Sequence, residues 1–265
     1  MSQIVLTWPD LALAAALVLL NAIVSLSLGL GLGGKLVLGA LRAILQLTLL
    51  GFVLGWVFRQ DTPWIVLTLM LFMGTVAGIE AVRRTTFRVR GSYLLSSAVV
   101  LTSSMTITLY GLIAVVGNTP WYAPQYAIPI LGMVLGNTLN GISLGLETAL
   151  SGFASDRDRV EMLLAHGATR AEASRDVVRR AVRTGMIPSL NMMVVAGVVS
   201  IPGMMTGQIL AGGSPAQAAR YQIFILFLIA AGVALGTTGI VYGSTRLVFD
   251  ERDRLRVDRL VKRDS

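Results

Sequence analysis

Residues 202–215 read PGMMTGQILAGGSP, inside a chain otherwise dominated by long apolar runs. Two prolines, four glycines and a glutamine are poor material for an undisturbed helix. Whether this stretch is a loop between hydrophobic segments or part of a passage through a bilayer depends on where the membrane lies. Composition answers that first. Of 265 residues, 54% are hydrophobic and only 14% charged, with a mean hydropathy of +0.73. A soluble domain carries about 25% charge, so the balance points to an all-α polytopic membrane protein. The absence of cysteine excludes disulfides, thiolate metal sites and thiol catalysis. A single histidine, His166, leaves no imidazole cage for a metal, and no metal site is assigned.

A helix needs about 20 mostly apolar residues to cross the hydrocarbon core. Such runs lie near 11–30, 36–58, 63–82, 93–116, 125–149, 186–210 and 218–246, giving seven expected spans. The start of the sequence, MSQIVLTWPD, has no basic region ahead of its apolar run, so the first span is expected to be retained rather than cleaved. Lys and Arg concentrate in alternate loops. One set holds Lys35, then Arg83, Arg84, Arg88 and Arg90, then seven arginines between 157 and 183. A basic tail with Arg252, Arg254, Arg256, Arg259, Lys262 and Arg263 completes it, while the opposite loops hold only Arg59 and Arg220. Seven crossings with an external N-terminus and a cytoplasmic C-terminus put every basic cluster inside. That parity requires residues 186–210 to cross completely. Pro202-Gly203 is then expected to kink or break the sixth span in its outer half, with AGGSP as the external turn.

Polar residues within apolar spans are the candidate functional groups. In the fifth span Met133, Gly136, Asn137, Asn140, Leu144 and Glu147 recur every three or four residues and share a face. Interhelical hydrogen bonding and the lining of a pathway are both compatible with that stripe. Arg42 and Gln46 share a face of span two, and Glu80 lies at the inner end of span three ahead of Arg83 and Arg84. Glu80 is either half of a local ion pair or a cation-attracting carboxylate at an inner mouth. Gly197, Ile201, Met204 and Gln208 share a face of span six, beside Met205. Thioethers suit copper(I) better than hard cations, yet eleven methionines read equally well as packing. Glycines four apart, at 51/55, 74/78, 132/136 and 141/145, indicate closely packed helices.

Residues 153–185 are the one sizeable hydrophilic stretch outside the tail, with five acidic and seven basic residues. Ser155 can cap a helix that Gly167 ends, and Thr169 with Glu172 forms the S/T-x-x-E capping box of a second helix, expected to stop before Gly185 and Pro188. The segment is a cytoplasmic helical hairpin, tethered between spans, that suits a protein partner; no nucleic acid is expected. GLGLGGKL at 29–36 imitates the start of a P-loop, but Leu36 replaces the Ser or Thr that would hold magnesium and no strand precedes it. Its glycines read as the turn between spans one and two, so any ATP hydrolysis falls to another chain.

PILGMVLGNTLNGISLGLE (129–147), HGATRAEA (166–173), IPSLNMMVVAGVVSIPGMMTGQILAGGSP (187–215) and ARYQIFILFL (219–228) together resemble the FetB-type ABC transporter permeases. The resemblance covers most of the chain after about residue 36. It implies one permease domain over 1–265, with a coupling segment at 153–185 and a basic tail at 249–265, multi-pass in the inner or plasma membrane. It further implies export of iron or a related small solute, a homodimer in the lipid bilayer, and a separate ABC ATP-binding subunit that carries ATP and magnesium. No cofactor is expected on this chain. EMLLAHGATRAEA is similar to the permease coupling signature, which assigns ATPase contact to Glu161, His166, Gly167, Ala168 and Thr169; the Leu-Pro that often closes that signature is missing. Gln46, Glu80, Asn137, Asn140, Glu147, Met204, Met205 and Gln208 are the candidate pathway residues. The competing reading is a secondary transporter or channel driven by an ion gradient, with Glu80 and Glu147 as its proton or cation sites.

Overall fold

Proline marks where several helices begin. It occupies the first turn of α1 (Trp8–Ser27), α3 (Pro63–Arg83), α5 (Pro124–Ser155) and α9 (Pro215–Val248), where its missing N–H costs no hydrogen bond. The computed structural model describes residues 7–60, 62–117 and 119–262; Arg263 of the basic tail lies outside them. The remaining helices are α2 (Gly33–Gln60), α4 (Ser92–Tyr110), α6 (Arg157–Ala165), α7 (Arg170–Val195) and α8 (Gly203–Leu210). A π-helical turn, Gly111–Val116, extends α4. Two short strands, β1 (Phe87–Arg88) and β2 (Val261–Lys262), pair antiparallel.

The chain divides into two compact units, one of residues up to 61 with 210–212, the other of 62–209 with 213–265. In the first, α1 and α2 form a hairpin whose turn is the glycine stretch that mimics a P-loop. Gly29 and Gly31 adopt φ of +64° and +66°, and the Leu32 N–H donates to Ser25 Oγ at 3.0 Å. Gly33 lets α2 lie against α1, since a Cβ there would stand 3.0 Å from the Ala22 carbonyl oxygen.

In the second unit α5 is the central helix, packed most extensively on α9 and α7 and also on α3 and α4. Its contact with α7 and α9 depends on absent side chains. A Cβ on Gly185 of α7 would lie 2.4 Å from Thr237 Cγ2 on α9 and 2.6 Å from the Gly141 carbonyl oxygen on α5. Gly145 takes the next turn of the same contact, with Thr237 Cγ2 2.9 Å from its would-be Cβ. At the α3–α4 crossing, a Cβ on Gly78 would fall 2.4 Å from Ser97 Cα, and the Ser96 hydroxyl donates to the Gly78 carbonyl at 2.8 Å. The spacing-of-four pattern is therefore a packing signal at 74/78 and 141/145. At Gly51, Gly55 and Gly136 a Cβ would meet nothing within 4 Å.

Six of the described helices, α4 taken with its π-turn, are long and apolar enough to cross a membrane, and their bounds follow the expected spans closely. Residues 186–210 depart from expectation in two ways. Their first half is the continuation of α7, which runs through Gly185 and Pro188 to Val195 instead of stopping before them. Gly185 is needed for contact with α5, and this tertiary demand overrides its helix-ending tendency. The break then lies upstream of Pro202, over residues 196–202, with Gly197 at φ +82° and an Ala196–Ser200 bridge. Pro202 leads into α8, and its carbonyl accepts from Thr206 N–H at 3.1 Å. Thus GMMTGQIL is a helix, and the AGGSP turn follows it as expected, with Gly212 at φ +89°.

Replacing Gly185 by Ala is expected to destabilise the protein by about 1–3 kcal/mol through overpacking, seen as a lowered melting temperature in detergent. Gly136→Ala, with open space around its Cβ, should melt like the unmodified protein.

Candidate functional site

Three ties anchor the end of α3 to α5. Arg84 Nη1 donates to Asn140 Oδ1 at 2.9 Å, and its Nε stands 3.8 Å from Glu80 Oε1. Ser143 Oγ donates to the Ala81 carbonyl at 3.2 Å. Beyond the helix end, the Thr86 N–H donates to Glu147 Oε2 at 2.6 Å, while Glu147 Oε1 accepts from Ser151 Oγ at 2.9 Å. Glu80, Asn140 and Glu147 are thus brought to one region of the α3–α5 contact, and Arg84 links the first two. Both oxygens of Glu147 already have protein donors, which suits a structural anchor for the α3–α4 loop better than an open cation ligand.

The other candidate pathway residues lie elsewhere. Asn137 Nδ2 donates to Met133 O of its own helix at 2.8 Å. Met204, Met205 and Gln208 are half-buried on α8, which buries none of its residues fully. Among the described residues no hydrogen bond joins their side chains to Asn137 or Asn140. Gln46 is exposed on α2, in the other compact unit. Among the described residues no group of three or more His, Asp or Glu side chains is placed to hold a metal ion.

The α6–α7 hairpin is built by local rules. Gly167, at φ +86°, ends α6 in a Schellman arrangement: Ala168 N–H donates to Leu163 O and Gly167 N–H to Leu164 O, both at 3.0 Å. Thr169 caps α7, its N–H and hydroxyl donating to Glu172 Oε2 at 2.8 and 2.7 Å. These bonds hold the Glu172 carboxyl below its ordinary pKa, the backbone N–H contributing most. Arg159–Asp176 and Arg180–Asp156 ion pairs clamp the two helices, and Val160, Ala173 and Val177 are buried. Glu161 accepts from Arg157 at 2.8 Å, and His166 Nδ1 lies 2.8 Å from Met162 O, a contact that needs the proton on Nδ1. The turn itself stands exposed.

Sequence reasoning missed what the tail does. After α9 the chain folds back, pairing Phe249 with Leu255, and β2 joins β1 in the α3–α4 loop with Phe87 opposite Lys262. Phe249 meets the fully buried Phe153 edge-on at 5.9 Å between ring centroids. Arg170 of α7 reaches Asp253 at 3.4 Å. An open cavity of about 760 Å³ results, lined by Glu161, Leu164 and Ala168 of the hairpin and by Arg252, Arg256 and Asp258 of the tail. Asp250 organises this fold-back: Arg252 and Arg254 N–H groups donate to its Oδ1 at 3.0 and 2.9 Å, and Arg254 Nε to its Oδ2 at 2.9 Å. The sequence signal was the mixed charge of DERDR, 250–254.

An all-α chain with six membrane-length helices among its described residues, and a hydrophilic helical hairpin, defines a polytopic membrane protein. Residues 8–249 match the Uncharacterised protein family (UPF0014), and the chain belongs to that family. The UPF0014 membrane protein slr1647 of Synechocystis is 40% identical over 232 residues, spanning 86% of this chain and 88% of its own. Protein ALUMINUM SENSITIVE 3 of Arabidopsis thaliana is 33% identical, over 87% of this chain and 83% of its own. The probable iron export permease protein FetB of Escherichia coli is 31% identical, over 97% and 98%. No solved structure matches the chain.

Asp250 gives a pH test. The Arg254 N–H, chief among its donors, lowers its pKa from 3.8 to about 2. A depressed carboxylate contributes stability that is complete above its unfolded value and is lost as pH falls towards the folded one. Amide exchange at Arg252 and Arg254, corrected for intrinsic rate, should stay slow from neutrality down to about pH 4 and accelerate below it.

Proposed function

We propose that this chain is the membrane-spanning permease subunit of an ABC transporter in the plasma or inner membrane, driven by a separate ATP-binding subunit. The observation that carries the reading is the α6–α7 hairpin, a rigid projection whose exposed Gly167 turn bears the residues of the coupling-like signature. Support for the cargo comes from the relative named as a probable iron export permease, and the proposed substrate class is iron or a related small solute. A hard cation needs oxygen ligands, and the carboxylates at the α3–α5 contact are engaged by Arg84, Thr86 and Ser151. The cargo is therefore proposed to cross between two copies of the chain or in complexed form.

In this reading the apolar end of α7 from Met186, the irregular stretch 196–202 and α8 form the sixth of seven passages. Ten helical residues of α7 and eight of α8 supply about 27 Å at 1.5 Å per residue, close to the hydrocarbon thickness of about 30 Å. Irregular backbone at that depth is tolerated where protein or a water-filled path surrounds it. That assigns Met204, Met205 and Gln208 to the route and keeps every basic cluster on the cytoplasmic side.

Affinity purification of the tagged chain in mild detergent is expected to recover a stoichiometric ATP-binding subunit. Gly167→Val, which forces a branched side chain onto φ +86°, is expected to lose it. Recovery of no such subunit by either form would transfer the argument to gradient-driven transport through Glu80 and Glu147. Asn140→Ala and Gln208→Ala are each expected to cut transport several-fold in vesicles without affecting recovery of the subunit. Equal loss of expression would mark them as packing residues instead.

A further inference from the structure

Five arginines line a groove between α7 and α9; Arg170 is paired with Asp253, and the other four are not used by the transport reading. Arg175, Arg179 and Arg183 follow at intervals of four on α7, so one face carries all three, and Arg246 faces them from α9. The groove holds about 580 Å³, and Val178, Val182 and Tyr242 line it beside the arginines. Among the described residues no carboxylate lies within ion-pair distance of these four arginines. Asp176 is taken by Arg159, Glu172 by the Thr169 cap and Asp250 by the tail. Like charges at i, i+4 work against a helix, so this row is a local electrostatic cost that an anion would remove.

Composition changes along both walls in the same sense. On α7 the arginine face continues into Ile187, Leu190 and Val194, all exposed. On α9 it continues from Arg246 through Tyr242 and Thr238 to Leu235, again exposed. A ligand that satisfies the whole groove is anionic at one end and apolar along its length. Guanidinium groups recognise phosphate oxygens through paired N–H donors, and basic pockets between membrane helices hold lipid headgroups. We propose that the α7–α9 groove is a binding site for an anionic phospholipid, with the phosphate on Arg175, Arg179, Arg183 and Arg246 and an acyl chain along Ile187, Leu190 and Leu235. A second copy of this chain fits poorly, because two-fold pairing of this face opposes arginine to arginine. The proposal stands independently of the transport reading.

The test uses the full chain in neutral maltoside micelles containing equal phosphatidylglycerol and phosphatidylcholine, with retained lipid counted by native mass spectrometry. The chain should retain phosphatidylglycerol preferentially. Arg175→Gln/Arg179→Gln/Arg183→Gln/Arg246→Gln should weaken that retention about tenfold or more. Arg59→Gln/Arg90→Gln/Arg220→Gln/Arg252→Gln removes equal charge elsewhere and should leave it unchanged. Should the first quadruple variant fail to fold, Arg179→Gln and Arg183→Gln singly should each lower retention. Equal retention of the two lipids, or a preference that survives loss of the groove arginines, overturns the proposal. Complete displacement of phosphatidylglycerol by excess inorganic phosphate would make the ligand a free anion and overturn the lipid. Because the chain has no cysteine, Ala171→Cys reports on a second copy, and efficient disulfide cross-linking between copies at that position would also overturn it.

Discussion

The contact on which the second unit depends is the approach of the Gly141 and Gly185 backbones, with the Thr237 side chain of α9 set against both. Helices carrying ordinary side chains pack with axes about 8–10 Å apart. Here a methyl group on Gly185 would overlap both the Gly141 carbonyl and the Thr237 side chain, so any residue but glycine must push the helices apart. In a bilayer this matters more than in water, because lipid tails are as apolar as the side chains and provide little drive to bring helices together. Association then rests on dispersion contact, and dispersion falls away within an ångström of lost fit.

The position of that contact along α7 has a mechanical consequence. Gly185 lies in the middle of a helix that begins at the Thr169 cap and ends at Val195. A single rigid element therefore carries the exposed Gly167 turn at one end and the irregular stretch 196–202 at the other. Between those two ends α7 bears on α5. The tail adds a second restraint: Arg170–Asp253 and the β1–β2 pairing tie the hairpin region to the α3–α4 loop. The loop is itself pinned to α5 by Glu147 and Arg84.

Membership in the UPF0014 family rests on a match that covers the α5–α9 region in full. This region contains the hairpin, the glycine contact and the broken segment. The match spans all the helices from α1 to α9 and so singles out no part of them; the arginine groove, on α7 and α9, is read from charge and shape alone.

Much of the architecture was legible without coordinates. Six of the seven apolar runs became membrane-length helices, and the Gly167 turn with the Thr169–Glu172 box determined the hairpin, because both depend on neighbours close in sequence. Tertiary structure decided the rest. Gly185 and Pro188 are helix-ending signals by local rules, yet α7 continues through them because Gly185 is required opposite Gly141. The Glu80–Arg84 pair, at i, i+4, was legible as a local ion pair. Asn140 and Glu147 were visible as costly polar groups in apolar surroundings, but their links to Arg84 and Thr86 join residues 56 and 61 positions apart. Nothing periodic in the sequence encodes such a pairing. The fold-back of the tail was hidden for the same reason: a run of mixed charge looks solvated until the surface it docks on has been assembled.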